Sequence, residues 1–388
     1  METFSDYNNL IIDIGACTCK SGLSSEIIKK NKTDNQSSDY YTLKSGYCSH
    51  DDDEEIPIFH TKEEWQNCPK RSKFKYPLKL QPEDYYYEFP KYYDFDDYDN
   101  YLGLGSHRDF LYHIYDFLFS HFKNYLEYKN VLLTEKGFIP NIYKKIDAEI
   151  MFEEFHVENL YIANIGALNL LSQGKSTGVS IDIGYTTAQI IPVLDGCKIG
   201  TNMSLNCSSK DIDTYLLEEY NKMGGKSITS FERYRETNCC SFDINCELVQ
   251  PYIEGKIFRS QFLKSPEVIF NHNLNKNSSY GVVEGLIKSI INCDEDTKKE
   301  LYGSICLSGD ITSINGFESR FIEEIKQQLK AFNETNFIND INIIAPKNRN
   351  YLALIGGAIL SETLSISNWV SKKEYDEMGS NIVLRKCF

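Results

Sequence analysis

Two short stretches of this chain carry residue types that could hold a metal-bound phosphate. Leu10-Ile-Ile-Asp-Ile-Gly15 and Val179-Ser-Ile-Asp-Ile-Gly184 share one pattern, an apolar strand closing on Asp-x-Gly. An aspartate at a strand end offers hard oxygens, which suit a magnesium ion and its water. The glycine two residues later allows positive φ and lets backbone N–H groups approach an anion. A return strand follows each, from Cys17 to Leu23 in the first case and from Thr187 to Val193 in the second. One such hairpin would mean little. Two, in repeated halves, predict two similar domains gripping one nucleotide phosphate tail.

The remaining chain must supply the frame for these hairpins. At 388 residues it suits two lobes better than one core, and 41% hydrophobic residues are enough to bury substantial interiors. A net charge of −15 argues against binding a nucleic-acid backbone and favours solubility or basic partners. The first nine residues are polar and acidic, so no signal peptide is expected, and no apolar run reaches the ~20 residues of a membrane span. The twelve cysteines form no paired C-x-x-C set, which points to reduced thiols in the cytosol or nucleus rather than to disulfides or zinc. Two tracts break the pattern. Lys29 to Glu55 is polar and contains Asp51-Asp-Asp-Glu-Glu55, and Glu83 to Tyr101 interleaves tyrosines with acids. The second tract reads as a surface insertion, with a partner-docking arm as the alternative.

Periodicity places helices over Asp109–Leu126, Lys144–Phe155, Leu160–Ser172, Asp211–Asn221, Phe231–Cys240, Gly281–Ile291 and Phe317–Leu329. Strands are expected at Asn130–Thr134, at Ser304–Gly309 running into a glycine turn, and at Ile341–Pro346. Gly356-Gly357 is expected to open an apolar helix, with a helical tail through Trp369 and Tyr375. Strands alternating with helices in two halves make the chain α/β.

Several segments then resemble one family. Val131-Leu-Leu-Thr-Glu135, Ile150-Met-Phe-Glu153, Leu307-Ser-Gly309, Ile343-Ile-Ala-Pro346, Ile355-Gly-Gly357 and the stretch from Trp369 to Phe388 closely resemble actin. The likeness covers about two thirds of the chain; Gly22 to Ser106 matches hardly at all, except at Lys75-Tyr76-Pro77. It implies the actin-like ATPase fold, with two ribonuclease H-like lobes in four subdomains around a nucleotide cleft. Subdomain 1 would take residues 1–26, 77–172 and 352–388, with an insertion at 78–106. Subdomain 2 would take 27–76, subdomain 3 would take 173–207 and 278–351, and subdomain 4 would take 208–277.

The resemblance also implies a site. Asp13 and Asp182 match the carboxylates that hold magnesium through water, and Gly15 and Gly184 match the phosphate-hairpin glycines. Lys20 matches the lysine that reaches the β-phosphate, and Arg235 and Glu236 fall where the family contacts adenine and ribose. Gly309 falls at the adenine-side loop, and Thr186 and Lys210 complete the implied contacts with ATP or ADP and Mg2+. Departures cluster around this set. The water-orienting glutamine falls at Ile165, and its companion histidine is Gln189. Ala16, Cys17, Tyr185, Asp310, Ile314 and Asn350 replace a serine, a glycine, an acid, a second glycine, a tyrosine and a lysine. Isoleucine cannot hydrogen-bond to water and glutamine cannot relay a proton as imidazole does, so no catalytic set is expected.

The filament contacts also diverge. No motif of the family's DNase-binding loop survives before Lys75, and the plug segment reads Leu274-Asn-Lys-Asn-Ser-Ser279, polar where actin is apolar. The expected function is that of a nucleotide-holding, actin-related subunit with weak or no hydrolysis and poor self-polymerisation. It would work with protein partners, actin or other subunits of an actin-related complex, in the cytoplasm and cytoskeleton or in the nucleus. The alternatives are a filament-forming actin with an active ATPase cycle and, more remotely, a small-molecule kinase on the same fold.

Overall fold

The computed structural model describes residues 9–32, 41–44, 47–48, 74–75, 104–122, 130–200, 202–225, 241–242, 252–253, 256–257, 259–274 and 278–387. The expected helix over 231–240 and the tyrosine-acid tract at 83–101 lie outside these residues. The chain divides into two compact units, one of Met1–Ser172 with Ala353–Phe388 and the other of Gln173–Leu352.

In the first unit, β1 (Leu10–Ile14) turns back as β2 (Thr18–Leu23), which pairs with β3 (Tyr41–Lys44), all antiparallel. Helix α1 (Ser24–Lys32) follows β2, and β4 (Tyr47–Cys48) pairs with β5 (Phe74–Lys75) in a separate ribbon. Past helix α2 (Leu104–Phe122), β6 (Asn130–Glu135) lies parallel to β1 on the side away from β2. Helix α3 (Asn141–Glu149) runs into a π-helical turn at Ile150–Glu154, and β7 (Asn159–Asn164) then pairs parallel with β6. The central strands are apolar on both faces because both faces are covered. Leu10, Ile12, Val131 and Leu133 join the core formed with α2 and α3. On the opposite face, Ile11 and Leu132 meet α4 (Ile165–Leu171) and α10 (Leu352–Thr363) around Gly357.

The second unit repeats this plan. Strands β8 (Gly178–Ile183) and β9 (Ala188–Leu194) form its antiparallel hairpin, with the short β10 (Cys197–Lys198) and β11 (Met203–Leu205) both on β9. Helix α5 (Ser209–Lys222) comes next, then a ribbon of β12 (Tyr252–Ile253) and β13 (Lys256–Ile257), then α6 (Arg259–Lys264), α7 (Val282–Ile290) and α8 (Glu295–Tyr302). Strand β14 (Ile305–Ser308) lies parallel to β8, and β15 (Ile343–Ile344) parallel to β14. Between them runs α9 (Phe317–Ala331), whose Phe317, Phe321, Ile325 and Leu329 form the buried stripe. The path β2-β1-β6-β7 in one unit is thus matched by β9-β8-β14-β15 in the other.

Several sequence expectations change. The helix expected over 160–172 is β7 followed by α4: six residues pair in register with β6, and the Asn164 side chain caps the helix by accepting from Gly166 N at 2.9 Å. Gly356-Gly357 lies inside α10 rather than opening it. A Cβ at Gly356 would meet the Leu168 carbonyl oxygen at 1.9 Å, so this pair serves close backbone approach and not helix initiation. The tail is not helical throughout, since β16 (Val370–Ser371) joins the first sheet beside β7 before α11 (Lys372–Met378) and α12 (Val383–Lys386). The strand expected over 341–346 is reduced to the two residues of β15.

Candidate functional site

The first hairpin is built around Asp13, the fourth residue of β1 and the cross-strand partner of Lys20. Parallel pairing of Leu10, Ile11 and Ile12 with Val131, Leu132 and Leu133 brings Thr134 alongside it. The Thr134 hydroxyl donates to Asp13 Oδ1 at 2.6 Å, and Lys20 Nζ stands 3.9 Å from Oδ2. One carboxylate oxygen is therefore fixed by a hydrogen bond, while the lysine is held by charge attraction at a distance too long for one. Ala16 is buried, and Cys17 and Lys20 are half-buried. Behind the carboxylate, burial first and Asp13 second push the Cys19 thiol well above its ordinary pKa, so it stays neutral.

The second hairpin repeats the backbone with other side chains. Asp182 faces Gln189 across the pair, where the first hairpin has Asp13 facing Lys20. Gln189 is 4% exposed. Ser308 lies beside Asp182 in the parallel pair with β14, the place Thr134 takes in the first unit. Its hydroxyl instead donates to the Arg349 carbonyl oxygen at 3.1 Å. Here too a neutral thiol lies behind the carboxylate: burial and Asp182 push Cys306 up to about 12.

The tip of this second hairpin is tied from two sides. The backbone N–H groups of Ser209 and Lys210, in the first turn of α5, donate to the carbonyls of Gly184 and Tyr185 at 3.1 and 3.0 Å. Lys210 sends its own side chain to solvent. From behind, Gly309 adopts φ 90°, and a Cβ there would lie 2.2 Å from the Ile183 carbonyl oxygen, which restricts the position to glycine. The structure thus brings Asp182, Gly184, Tyr185 and Thr186 together with Lys210 and Gly309 in one unit. Asp310, which follows, is exposed. Arg235 and Glu236 lie outside the described residues.

The hairpin glycines act differently from the expectation of positive φ, which neither Gly15 nor Gly184 adopts. Each donates its N–H to the carbonyl three residues on, Gly15 to Thr18 at 2.9 Å and Gly184 to Thr187 at 3.0 Å. Close approach is what Gly15 serves, since a Cβ there would sit 2.8 Å from Thr18 O. At Gly184 the same contact is 3.4 Å, ordinary van der Waals distance.

The actin family model matches residues 104–239 and 247–388. The chain belongs to the actin family. In this family member, the Asp-x-Gly hairpins lie at the ends of corresponding strands in two similarly wound α/β units. The chain's donors suit a magnesium-bound nucleotide: Asp13 presents hard oxygens, and Thr186 Oγ1 is buried at the second hairpin tip with no hydrogen-bond partner. Among the described residues no three of His, Cys, Asp and Glu converge as metal ligands. Among the same residues no helix is long and apolar enough to cross a membrane.

Sequence reasoning assigned no role to Thr134, Ser308 or Arg349. The available signal was a hydroxyl residue at or near the end of each hairpin's parallel partner strand, Thr134 in β6 and Ser308 in β14. Ile165 opens α4 at 5% exposure, and Gln189 is embedded in the sheet.

Proposed function

We propose that this actin-family protein is a divergent, actin-related subunit whose hairpins each contribute to holding ATP or ADP with Mg2+, with slow or absent hydrolysis. The carrying observation is the buried Ile165, an apolar side chain at the position where the resemblance puts a water-orienting group. Asp13, steadied by Thr134, and Asp182 would hold the metal through water; the Thr186 hydroxyl would donate to a phosphate oxygen. A bound metal nucleotide supplies negative charge that Lys20 can meet. Losing a water-orienting group costs orders of magnitude in rate, because phosphoryl transfer depends on positioning.

The protein would then act as a scaffold within a cytoskeletal assembly in the cytoplasm, or in a nuclear one, alongside actin or related subunits. Poor self-assembly fits the plug segment, where Leu274 is 43% exposed beside polar neighbours, although 275–277 lie outside the described residues. Phosphate release by the purified protein in Mg-ATP tests the reading. The expected result is nucleotide binding with release far below an actin-like rate, raised by Ile165→Gln. Release at an actin-like rate by the unaltered chain would overturn it. Affinity purification should recover subunits of an actin-related complex, and sedimentation in magnesium, potassium and ATP should leave most of the protein in the supernatant.

A further inference from the structure

Outside the hairpins, the second unit contains a cavity of about 630 Å3, between the turn at 312–316, the first turn of α9 and Arg349. Its size is that of a small-molecule site. Phe242 and Ile314 give it an apolar wall, and both are half-buried. Two arginines line it, and they differ. Arg320 is satisfied, with Nε and NH2 donating to Glu267 at 2.9 and 3.0 Å and NH1 donating to Glu324 at 2.8 Å.

Arg349 is not. Among the described residues its guanidinium makes one hydrogen bond, from NH1 to the Thr312 carbonyl oxygen at 3.3 Å, and its Nε–H is buried with no acceptor. No carboxylate lies within ion-pair distance of it among the described residues; Glu318 acts on it only from farther away. Burial accordingly holds its pKa below the ordinary arginine value. A guanidinium has five donors in a planar fork, and a partly desolvated one with a single bond leaves a deficit that an anion would relieve. Its position is also fixed, because the Arg349 carbonyl oxygen accepts from Gly309 N at 3.4 Å and from Ser308 Oγ at 3.1 Å. The N-terminus of α9, capped by Gly316 with no side-chain bond, adds a favourable dipole.

We propose that this cavity binds a ligand with one carboxylate and an apolar body, the carboxylate pairing with Arg349 and the body lying against Phe242 and Ile314. A monoanion is favoured over a phosphate dianion because Glu318 and Glu323 also line the cavity and are exposed. The source is either a free carboxylic acid or the C-terminal carboxylate of a partner peptide.

The test uses the full chain and four probes: N-acetylphenylalanine, its amide, a short peptide ending in phenylalanine, and the same peptide amidated. Ligand-observed NMR and thermal shift should detect the acids and not the amides. A response to the free acid marks a small-molecule site, and a response to the acidic peptide alone marks a partner's terminus. Arg349→Gln should weaken binding by about tenfold or more, the value of one charge-assisted pair. Because Arg349 braces the 308–312 turn, Asn315→Trp at the exposed rim provides a second variant, expected to block binding without touching that turn. Lys20→Gln, in the other unit, should bind the acids as the unaltered chain does, which separates this site from the first hairpin's share of the nucleotide reading. Equal binding of acid and amide, unchanged binding by Arg349→Gln, or no binding at millimolar concentrations would overturn the proposal.

Discussion

The two hairpins share a backbone and differ in what their side chains do with charge. Both place an N–H of the turn glycine on the carbonyl three residues on, and both set an aspartate opposite the same strand position. In the first, that position is Lys20, and a neighbouring hydroxyl grips the carboxylate. In the second it is the buried Gln189, and the neighbouring hydroxyl turns away to Arg349. The first hairpin is thus arranged around charges, and the second is anchored through its backbone, by α5 at its tip and Gly309 behind it. A repeated fold preserves hydrogen-bond geometry, because buried backbone groups must be paired, but it leaves side-chain chemistry free to diverge.

The sharpest way to break this comparison is a pair of alanines. Gly15→Ala should destabilise the protein by about 2 kcal/mol, since its Cβ meets a backbone oxygen that has little room to move. Gly184→Ala should cost about 0.5 kcal/mol or less, because its nearest contact is already at an ordinary distance. Chemical denaturation of both variants measures the difference; equal losses would mean the two turns are equivalent after all.

The charged character of the first unit can be sharpened by pH. Asp147 in α3 accepts from the Tyr115 hydroxyl of α2 at 2.7 Å, and burial, with a contribution from Glu135, pushes its pKa up to about 7. The folded state therefore holds a proton that the unfolded state releases near pH 4. The stability this gives is fully present below about pH 4 and is lost as pH rises to about 7. Denaturation curves should show the unaltered chain losing roughly 4 kcal/mol over that window relative to Asp147→Asn, which keeps the acceptor but not the titration. Parallel curves for the two proteins would remove this charge from the account.

The smallest effect tests the two hydroxyls. Thr134→Val and Ser308→Ala should each cost about 1 kcal/mol for one lost hydrogen bond. Only Thr134→Val should also weaken Mg-ATP binding, by a few-fold, because it alone releases a site carboxylate. If Ser308→Ala weakened binding as much, the difference in hydroxyl roles would not hold.

Much of the frame was legible in the residues. The Asp-x-Gly strand ends, the α9 stripe and the glycine turn after β14 all follow from local patterns that the structure repeats. The errors came where local and long-range signals conflict. Leu160 to Asn164 is apolar enough for either a helix or a strand, and it is a strand because β6 offers it a six-residue parallel partner. Gly356-Gly357 looks like a helix boundary locally, yet it lies mid-helix because α10 must come close to Leu168. Of the candidate site, the residues within each hairpin were readable, whereas Thr134, Ser308 and Arg349 come from strands or turns more than a hundred residues from the hairpin each one adjoins.

By itself, the sequence determined the fold class, the two hairpins and the apolar and amide side chains of Ile165 and Gln189, because strand patterns and residue chemistry are local properties. Tertiary structure alone decided how the chemistry is arranged. Strand register put Thr134 on Asp13 and turned Ser308 toward Arg349, and packing made Gly15 a matter of clearance rather than of φ. Packing also left Arg349 underbonded at a cavity wall. The reason is physical: a hydrogen bond or a steric clash depends on distances between segments far apart in the chain, and those distances exist only once the chain has folded.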